Sequence, residues 1–393
     1  MKKSFRPQRG LTLIELMVSL ALGLFVVLAI VSVMVTQEGI RRNATTGSDA
    51  SSNAAVGMLI LERSIKNGGY GLSPNVGGGL MDTCAPLGVT GSNTTRGSNT
   101  FTFSAFEFAP VVINPTGIPA GDAGSQSIRV TYSGNHVFGA SSAPAKATTP
   151  DIRVESRAGL NAGDLVVLGQ PALGCVFRQL TAMPNNLRCS TGADVARSDV
   201  VEFSNANYKS DYSSCAETVQ TYNTTAVPFT FVPTTGSVAG LRIFTLGQAD
   251  RFQSVVYAVR RGQLTMCNFM VSRCDDAMLA ASEAVWVPVV DDVVSLRIQY
   301  GVDTNADLSV DSWNAVTPST IAGLNGIIAV RLAVTTRAKA YNKEEVVIDS
   351  GAGKNSPQWF GGDVSVSHLP DWKHYRYVVN ETIVPLKNVI WRD

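Results

Sequence analysis

Glu15 is the residue of this chain whose type and position most strongly suggest a function. It is the only charged residue in the run of 25 residues from Leu11 to Val35, which is otherwise almost entirely apolar. A carboxylate at the centre of a bilayer costs roughly 2.5–3.5 kcal/mol on insertion scales, and less toward the interface. A charge in lipid has to be neutralised or paired. We therefore expect Glu15 to need a partner.

A second group of candidate residues alternates along one loop near the C-terminal end. Asp303, Asn305, Asp307 and Asp311 present oxygen atoms at every second or fourth position. Alternate oxygens can converge on a hard cation when a loop curls, and the spacing is similar to the start of an EF-hand calcium loop. Leu308 and Asn314 stand where that loop has glycine and glutamate. The pattern predicts calcium ligands, and the alternative is a solvated turn between strands.

The six cysteines could form disulfides. They are Cys84, Cys175, Cys189, Cys215, Cys267 and Cys274. All follow the apolar run, in a part of the chain that we expect to lie in an oxidising compartment. Many pairings are open to six cysteines. The shortest loops favour Cys267 with Cys274 and Cys175 with Cys189, which leaves Cys84 with Cys215. A metal site is disfavoured because the chain has no C-x-x-C pair and only three histidines.

The first 35 residues are typical of a membrane segment with a basic leader. Lys2, Lys3, Arg6 and Arg9 precede the apolar run, and removing them changes the formal charge from +1 to −3. The positive-inside rule places such a leader in the cytoplasm. At about 1.5 Å per residue, the run is long enough to cross a hydrocarbon core of about 30 Å. It is longer than the apolar core of a secretory signal peptide and lacks a cleavage site after it.

The segment Gly10-Leu11-Thr12-Leu13-Ile14-Glu15 resembles the class III signal of type IV prepilins and of type II secretion pseudopilins. The resemblance implies that a membrane aspartyl peptidase cuts between Gly10 and Leu11 and methylates the new amino terminus. It also implies that Glu15 pairs with the free amine of a neighbouring subunit. Leu11 departs from the usual phenylalanine, and the helix-kinking proline of many major pilins is absent.

The chain after the apolar run predicts a continuation of the same helix and then a β-rich region. Small or apolar residues recur at helical spacing from residue 36 to about residue 66, at Ile40, Ala44, Gly47, Ala50, Ala54, Met58, Leu61 and Ile65. Gly68 and Gly69 supply a stop. Runs typical of strands follow at 100–108, 127–134, 164–169, 200–204, 229–232, 251–260, 284–301, 327–338 and 375–386. The stretch from 72 to about 160 is rich in loop-forming residues.

Three segments resemble minor pilins of the PilW type. They are LERSIKNGGYG at 61–71, VVSLRIQYGVDTNADLSVDSW at 293–313 and YRYVVNETIVPLKNVIW at 375–391. Ser64, Lys66 and Lys387 depart from the family pattern, and residues 72–250 match no specific motif. The resemblance implies an α+β type IV pilin fold, in which a long N-terminal helix packs on an antiparallel β-sheet with an enlarged β-rich and loop-rich globular region.

The family resemblance also implies an organisation and a role. We expect a leader at 1–10, a transmembrane half-helix at 11–35, a periplasmic half-helix at 36–67 and a globular region at 68–393. The implied role is a non-enzymatic minor pilin that helps prime pilus assembly near the tip and supports twitching motility, adhesion or DNA uptake. Its expected location is the inner membrane, as a single pass with a periplasmic C-terminal region, and then the pilus.

The partners implied are the prepilin peptidase, other minor pilins, the major pilin, the inner-membrane assembly platform and membrane lipid. Charge is nearly balanced, with 32 basic and 31 acidic residues, so no nucleic-acid site is evident. The sequence carries no catalytic signature and predicts no cofactor other than calcium. Two alternatives stay open: a J-like minor pseudopilin of a type II secretion system, and a membrane-tethered periplasmic enzyme or receptor.

Overall fold

A computed structural model describes much of the chain. The described residues are 12–72, 84, 94–96, 99–101, 109–134, 144–148, 151–154, 156–170, 174–183, 200–210, 218–223, 242–351 and 353–390. Gly10, Leu11, Cys189 and Cys215 lie outside these ranges, as do most of the predicted strand at 100–108 and all of that at 229–232.

The helices within the described residues are α1 (Leu13–Asn67), α2 (Ile321–Asn325) and α3 (Lys387–Ile390), with 3-10 turns at Ala277–Leu279 and Trp372–His374. The strands of the first part are β1 (Thr94–Arg96), β2 (Asn99–Phe101), β3 (Val111–Ile113), β4 (Ile128–Ser133), β5 (Pro144–Thr148), β6 (Asp151–Val154), β7 (Asp164–Gln170), β8 (Gly174–Gln179), β9 (Val200–Glu202), β10 (Tyr208–Lys209) and β11 (Thr218–Val219). Those of the second part are β12 (Arg242–Gln248), β13 (Phe252–Arg260), β14 (Gln263–Asn268), β15 (Val287–Asp291), β16 (Val293–Val302), β17 (Ser312–Asn314), β18 (Ile327–Arg337), β19 (Gln358–Trp359), β20 (Gly362–Asp363) and β21 (Tyr377–Pro385).

Helix α1 is a single helix of 55 residues, about 82 Å long at about 1.5 Å per residue. It begins after Thr12, whose hydroxyl accepts a hydrogen bond from the Glu15 N–H, as expected for an N-cap. It ends where Gly68 leaves the helical conformation and Gly69 takes a φ of +80°. Glycine adopts this left-handed conformation without steric cost, which makes it a common helix terminator. The predicted helix end at Gly68 and Gly69 is confirmed.

The described part of the globular region contains four antiparallel sheets of three or more strands and three two-stranded sheets, β1-β2, β10-β11 and β19-β20. Sheet A has the order β17-β16-β18-β21, and sheet B has the order β15-β14-β13-β4-β3. Sheet C has the order β12-β7-β8, and sheet D has the order β5-β6-β9. The combination of a long apolar helix with antiparallel sheets confirms the predicted α+β class.

The sheets stack in layers because their strands are apolar on both faces. Along β13, Val255 and Val259 pack with α1 and sheet A, whereas Val256 and Ala258 face sheet C. Side chains alternate between the two faces of a strand, so a strand buried on both sides reads as a continuous apolar run. Strand β7 repeats the pattern between sheets B and D. The layer order is therefore α1, B, C and D, with sheet A beside sheet B under the helix.

The main core joins α1 to sheets A and B. Its buried members include Met58, Leu61 and Ile65 of α1, Val130, Val255, Leu264 and Val290 of sheet B, and Leu296, Ile298, Val330, Leu332 and Val334 of sheet A. The Tyr300 hydroxyl also links the two sheets: it accepts a hydrogen bond from the Ile113 N–H at 2.7 Å and lies 3.1 Å from the Thr317 hydroxyl. The helix thus rests on a base formed by two sheets.

The predicted strands that fall within the described residues are confirmed, with one division, but twelve described strands were not predicted. The run at 284–301 is divided by Asp292, whose φ of +61° separates β15 from β16. The unpredicted strands are β1, β3, β5, β6, β8, β10, β11, β12, β14, β17, β19 and β20. Two of them, GCVFRQ and QLTMCN, are short and contain polar residues on the buried face, so their sequence period is weak.

Candidate functional site

Glu15 lies in the first turn of α1 with its side chain exposed. The N–H groups of the first helical turn have no partner within the helix, and the helix dipole is positive at this end. Both effects favour a carboxylate at this position. Thr12 and Glu15 have the spacing of a capping box, which orders the start of the helix. The predicted cleavage and methylation site at Gly10 and Leu11 lies just outside the described residues.

The N-terminal part of α1 is an apolar surface with no cover in the described structure. Every residue from Leu13 to Val35 is exposed, including Phe25 at 71% and Val35 at 68%. The mean hydropathy of its most apolar window is 2.8, so α1 is long and apolar enough to cross a membrane. Exposure of this much contiguous apolar surface marks a contact with lipid or with another protein.

Residues 36–49 continue the helix but stay outside the globular core. Ile40 is 65% exposed, Ala44 is exposed and Gly47 is partly exposed. Burial of α1 begins at Ala50. The predicted single stripe is therefore confirmed only from residue 50 onward, and its first three members lie outside the buried core. A helical period shows which face would be buried, but not where along the helix the sheets begin.

Polar contacts attach α1 to the sheets from residue 50 onward. The Thr336 hydroxyl donates a hydrogen bond to the Ala50 carbonyl at 2.8 Å, and the Asn53 amide donates to the Asp291 carbonyl at 3.2 Å. At Gly57, an added Cβ would lie 3.6 Å from the side chains of Leu264 and Val334, one from each sheet. These contacts fix the direction in which the free part of the helix leaves the globular region.

The end of α1 is attached at two further points. The Gly69 N–H donates to the Thr131 carbonyl, and the Ser133 N–H donates to the Tyr70 carbonyl, which joins the helix end to β4. The Asn388 amide donates to the carbonyls of Lys66 and Gly68, both at 3.1 Å. Carbonyls at a helix C-terminus lack helical partners, so this side chain acts as a cap from the opposite end of the chain. Asn388 lies in a predicted family motif, but the sequence alone did not indicate this contact.

The loop that contains the predicted calcium ligands is held by its own hydrogen bonds. The Asp303 carboxylate is largely buried and accepts hydrogen bonds from the N–H groups of Asn305, Ala306 and Leu308 at 3.1, 2.7 and 2.8 Å. Leu308 has a φ of +63°, in the left-handed region that glycine prefers. Asp311 accepts from the Thr304 hydroxyl and N–H, and these hydrogen bonds lower the pKa of its carboxyl.

The described residues contain no group of three or more His, Cys, Asp or Glu side chains placed to hold a metal ion. Asp303, Asn305, Asp307 and Asp311 share one curled loop, but their carboxylates do not form such a group. Calcium binding stays a prediction. Calorimetric titration of the full chain with calcium tests it, and the absence of both heat and a melting shift would contradict it.

Within the described residues, two disulfides lie in the core between sheets B and C. Cys267 pairs with Cys274, as predicted. Cys84 pairs with Cys175 across 91 residues, so the predicted pairs of Cys175 with Cys189 and of Cys84 with Cys215 are wrong. Loop length is a weak guide to disulfide pairing, because the entropy of loop closure changes slowly with loop length. Cys84 and Cys175 are both fully buried in one core cluster, so tertiary packing rather than loop length sets this pair.

Two family profiles match the chain. The profile of the type IV pilus-assembly protein W, PilW, matches residues 256–388. The profile of the prokaryotic N-terminal methylation motif matches residues 5–31. The first covers β14 to β21 and part of β13, which include all of sheet A, and the second covers Glu15 and most of the exposed apolar surface.

Among solved structures, a type IV-like pilin from Thermus thermophilus matches with 14% sequence identity and a TM-score of 0.20. The match covers 35% of this chain and 66% of that pilin, just under two thirds of its length. No curated protein matches the chain.

A methylation motif at the start of a long apolar helix, which is seated on antiparallel sheets, defines a type IV pilin-like protein. The PilW match supports a more particular assignment, a type IV minor pilin of the PilW family. The matched profiles indicate a structural pilin.

Proposed function

We propose that this protein is a minor pilin that is incorporated into the type IV pilus near its tip. There it helps prime pilus assembly and supports twitching motility, adhesion or DNA uptake. The observation that carries the proposal is the exposed half of α1. It presents Glu15 and the apolar surface from Leu13 to Val35, and the described structure offers neither of them a partner.

The proposed sequence of partners follows from the chemistry of that surface. Before assembly, lipid covers the apolar helix, with the basic leader in the cytoplasm and the globular region in the periplasm. The prepilin peptidase then removes the leader after Gly10 and methylates the new amino terminus. The assembly platform transfers the helix from lipid to a bundle of pilin helices. In that bundle, Glu15 pairs with the amine of a neighbouring minor or major pilin, which removes the cost of an unpaired carboxylate.

The residue-level test compares Glu15→Ala with Glu38→Ala. Both glutamates are exposed on α1, but Glu38 lies beyond the apolar run. We expect Glu15→Ala to be inserted and cleaved normally but to be lost from sheared pili, as measured by immunoblot of the pilus and membrane fractions. Glu38→Ala should enter pili as the wild type does. Normal incorporation of Glu15→Ala would contradict the proposed contact.

Two further measurements test the cleavage site and distinguish a type IV pilus from a type II secretion system. Gly10→Val should abolish processing, and an unchanged gel mobility relative to the wild-type protein would contradict the site. Recovery of the protein in sheared pili supports a pilus. A secretion defect in the deletion strain, with normal pili, would instead support the type II secretion pseudopilin.

A further inference from the structure

The globular region contains an open cleft of about 440 Å³ that the pilin assembly role does not use. It lies where one end of sheet C meets the β13–β14 hairpin of sheet B, beside β10 and β11. Gln179 and Tyr222 line one wall, Gln253 and Asn268 line the other, and Met270 lies between them. Volumes of this size are typical of small-molecule sites.

The first wall is ordered by the Gln179 side chain, which is almost fully buried. Its amide nitrogen donates to the Tyr208 hydroxyl at 2.8 Å and to the Gly163 carbonyl at 3.1 Å. Its amide oxygen accepts from the Tyr222 N–H at 2.9 Å. A buried amide with each of its groups paired has one orientation, so this wall presents fixed polar groups.

The second wall is a chain of hydrogen-bonded amides that ends at the rim. The Asn268 amide donates to the Gln253 side-chain oxygen at 2.8 Å, and the Gln253 amide donates to the Asp250 carbonyl at 2.7 Å. The Met270 N–H donates to the Asn268 side-chain oxygen at 3.0 Å, which ties the wall to the loop closed by the Cys267–Cys274 disulfide. This wall is therefore also preorganised.

Two polar groups at the rim remain available. Within the described part of the chain, neither the Gln248 amide nor the Asp250 carboxylate has a hydrogen-bond partner. Asp250 is exposed and Gln248 is partly exposed. Together they offer donors and acceptors beside the apolar surface of Ala249 and Val271, which also line the cleft.

The composition of the lining selects the class of ligand. Among the described residues that line the cleft, none is Lys, Arg or His, and the one charged side chain is the carboxylate of Asp250. A phosphate, a carboxylate or a nucleic acid would find no cation and would be repelled by Asp250. A lipid tail would bury the Gln248 amide and the Asp250 carboxylate without offering either a hydrogen bond. A neutral polyol carries no charge to be repelled, and its hydroxyl groups can form hydrogen bonds with an amide and a carboxylate. The C–H face of a sugar ring can pack on the apolar surface of Ala249 and Val271.

We propose that this cleft binds a neutral saccharide, with Gln248 and Asp250 as the side chains that contact its hydroxyl groups. Binding by the cleft does not depend on pilus assembly. A pilus location would place the cleft on the cell surface, where glycans are available, and that part rests on the proposed function.

The test is calorimetric titration of the full-length protein with lactose, cellobiose and N,N′-diacetylchitobiose. A sugar-free amine oxide detergent keeps the protein soluble, because glycoside detergents would compete for the cleft. We expect saturable binding of at least one probe with a Kd of about 1 mM or below. Absence of saturation by all three probes, or tighter binding of glucuronate or inorganic phosphate, would overturn the proposal.

Variants locate the binding. Asp250→Ala and Gln248→Ala should each weaken binding of the saturating sugar by roughly tenfold. Both side chains are at the rim, so the fold should be unchanged, which the melting temperature checks. Asp349→Ala, an exposed aspartate outside the cleft, is the matched control and should bind as the wild type does. Equal binding by all three variants would show that the sugar is held elsewhere.

Discussion

The two parts of helix α1 differ in what covers them. Residues 13–49 are exposed or partly exposed and include the apolar run, whereas residues 50–67 bury one face against sheets A and B. The backbone is one continuous helix across both. In a soluble protein, the apolar side chains of a helix face its own core. The first part of α1 breaks this rule, so its sequence is explained by partners outside the chain.

The contrast also separates two kinds of small residue. Gly57 lies between two sheets and has side chains of both within contact distance. Gly23, Gly39 and Gly47 have nothing within 4 Å of the position that a Cβ would occupy. A glycine inside a helix costs roughly 0.5–1 kcal/mol relative to alanine. In the packed part, the close approach of the helix to the sheets can offset that cost. In the free part, no contact within the described chain offsets it.

The largest expected effect comes from truncating a leucine in the packed part of the helix. Leu61 is fully buried between the sheets, whereas Leu59 on the same helix is 64% exposed. We expect Leu61→Ala to lower the free energy of unfolding by about 2–5 kcal/mol, because it removes buried methyl groups and leaves a cavity. Leu59→Ala should change it by less than about 0.5 kcal/mol.

Denaturant unfolding of the full chain in detergent measures both leucine variants. The comparison would fail if the two had similar effects, since the packed face would then contribute no more to stability than the exposed face.

A smaller effect is expected from removing the hydrogen bond that links the two sheets under the helix. Tyr300→Phe removes the hydroxyl that accepts from the Ile113 N–H and leaves that buried group unpaired. We expect a loss of about 1–3 kcal/mol. Tyr341→Phe is the matched control, because Tyr341 is 48% exposed and its hydroxyl makes no hydrogen bond within the described residues. The same unfolding assay compares them, and equal values would show that the bridge is not structural.

The cap at the end of the helix is expected to contribute less. Asn388→Ala removes the hydrogen bonds to the Lys66 and Gly68 carbonyls, and it should lower the free energy of unfolding by about 1 kcal/mol. Proteolysis or hydrogen exchange at residues 60–67 should increase, while exchange in residues 13–35 should not change. A uniform increase along the whole of α1 would contradict a local cap.

The features that could be predicted from the sequence are those encoded locally. The length of α1, its end at Gly68 and Gly69, and strands β4, β7, β13, β16, β18 and β21 follow from period and from stop residues. Glu15 stands out because one charge interrupts an apolar run.

The features that could not be predicted depend on distant parts of the chain. Burial begins at Ala50 because that is where the sheets reach the helix. Cys84 meets Cys175, and Asn388 meets the end of α1, only after the layers have assembled. The saccharide cleft likewise joins residues from Gln179 to Asn268 whose proximity no local pattern indicates.

A pH dependence is also expected in the strand beside the packed part of α1. Tyr377 begins β21, and its hydroxyl donates to the Trp372 carbonyl at 3.0 Å. Burial raises the pKa of Tyr377 to about 12, from about 10 for an exposed tyrosine. In the unfolded state the proton is lost first. The stability contributed by the neutral tyrosine is therefore complete below about pH 10 and is lost as the pH rises toward about 12.

Unfolding midpoints of the wild type and of Tyr377→Phe, measured between about pH 8 and pH 12, test this shift. The difference between the two proteins should be constant up to about pH 10 and should then change in favour of the variant. Burial also raises the pKa of Tyr257. This residue is present in both proteins, so its effect cancels in the difference. Tyr257 lies in the core under α1. Its titration would therefore lower the stability of both proteins equally. A constant difference across the whole range would mean that Tyr377 has the same pKa in the folded and unfolded chain. The start of β21 would then be open to water.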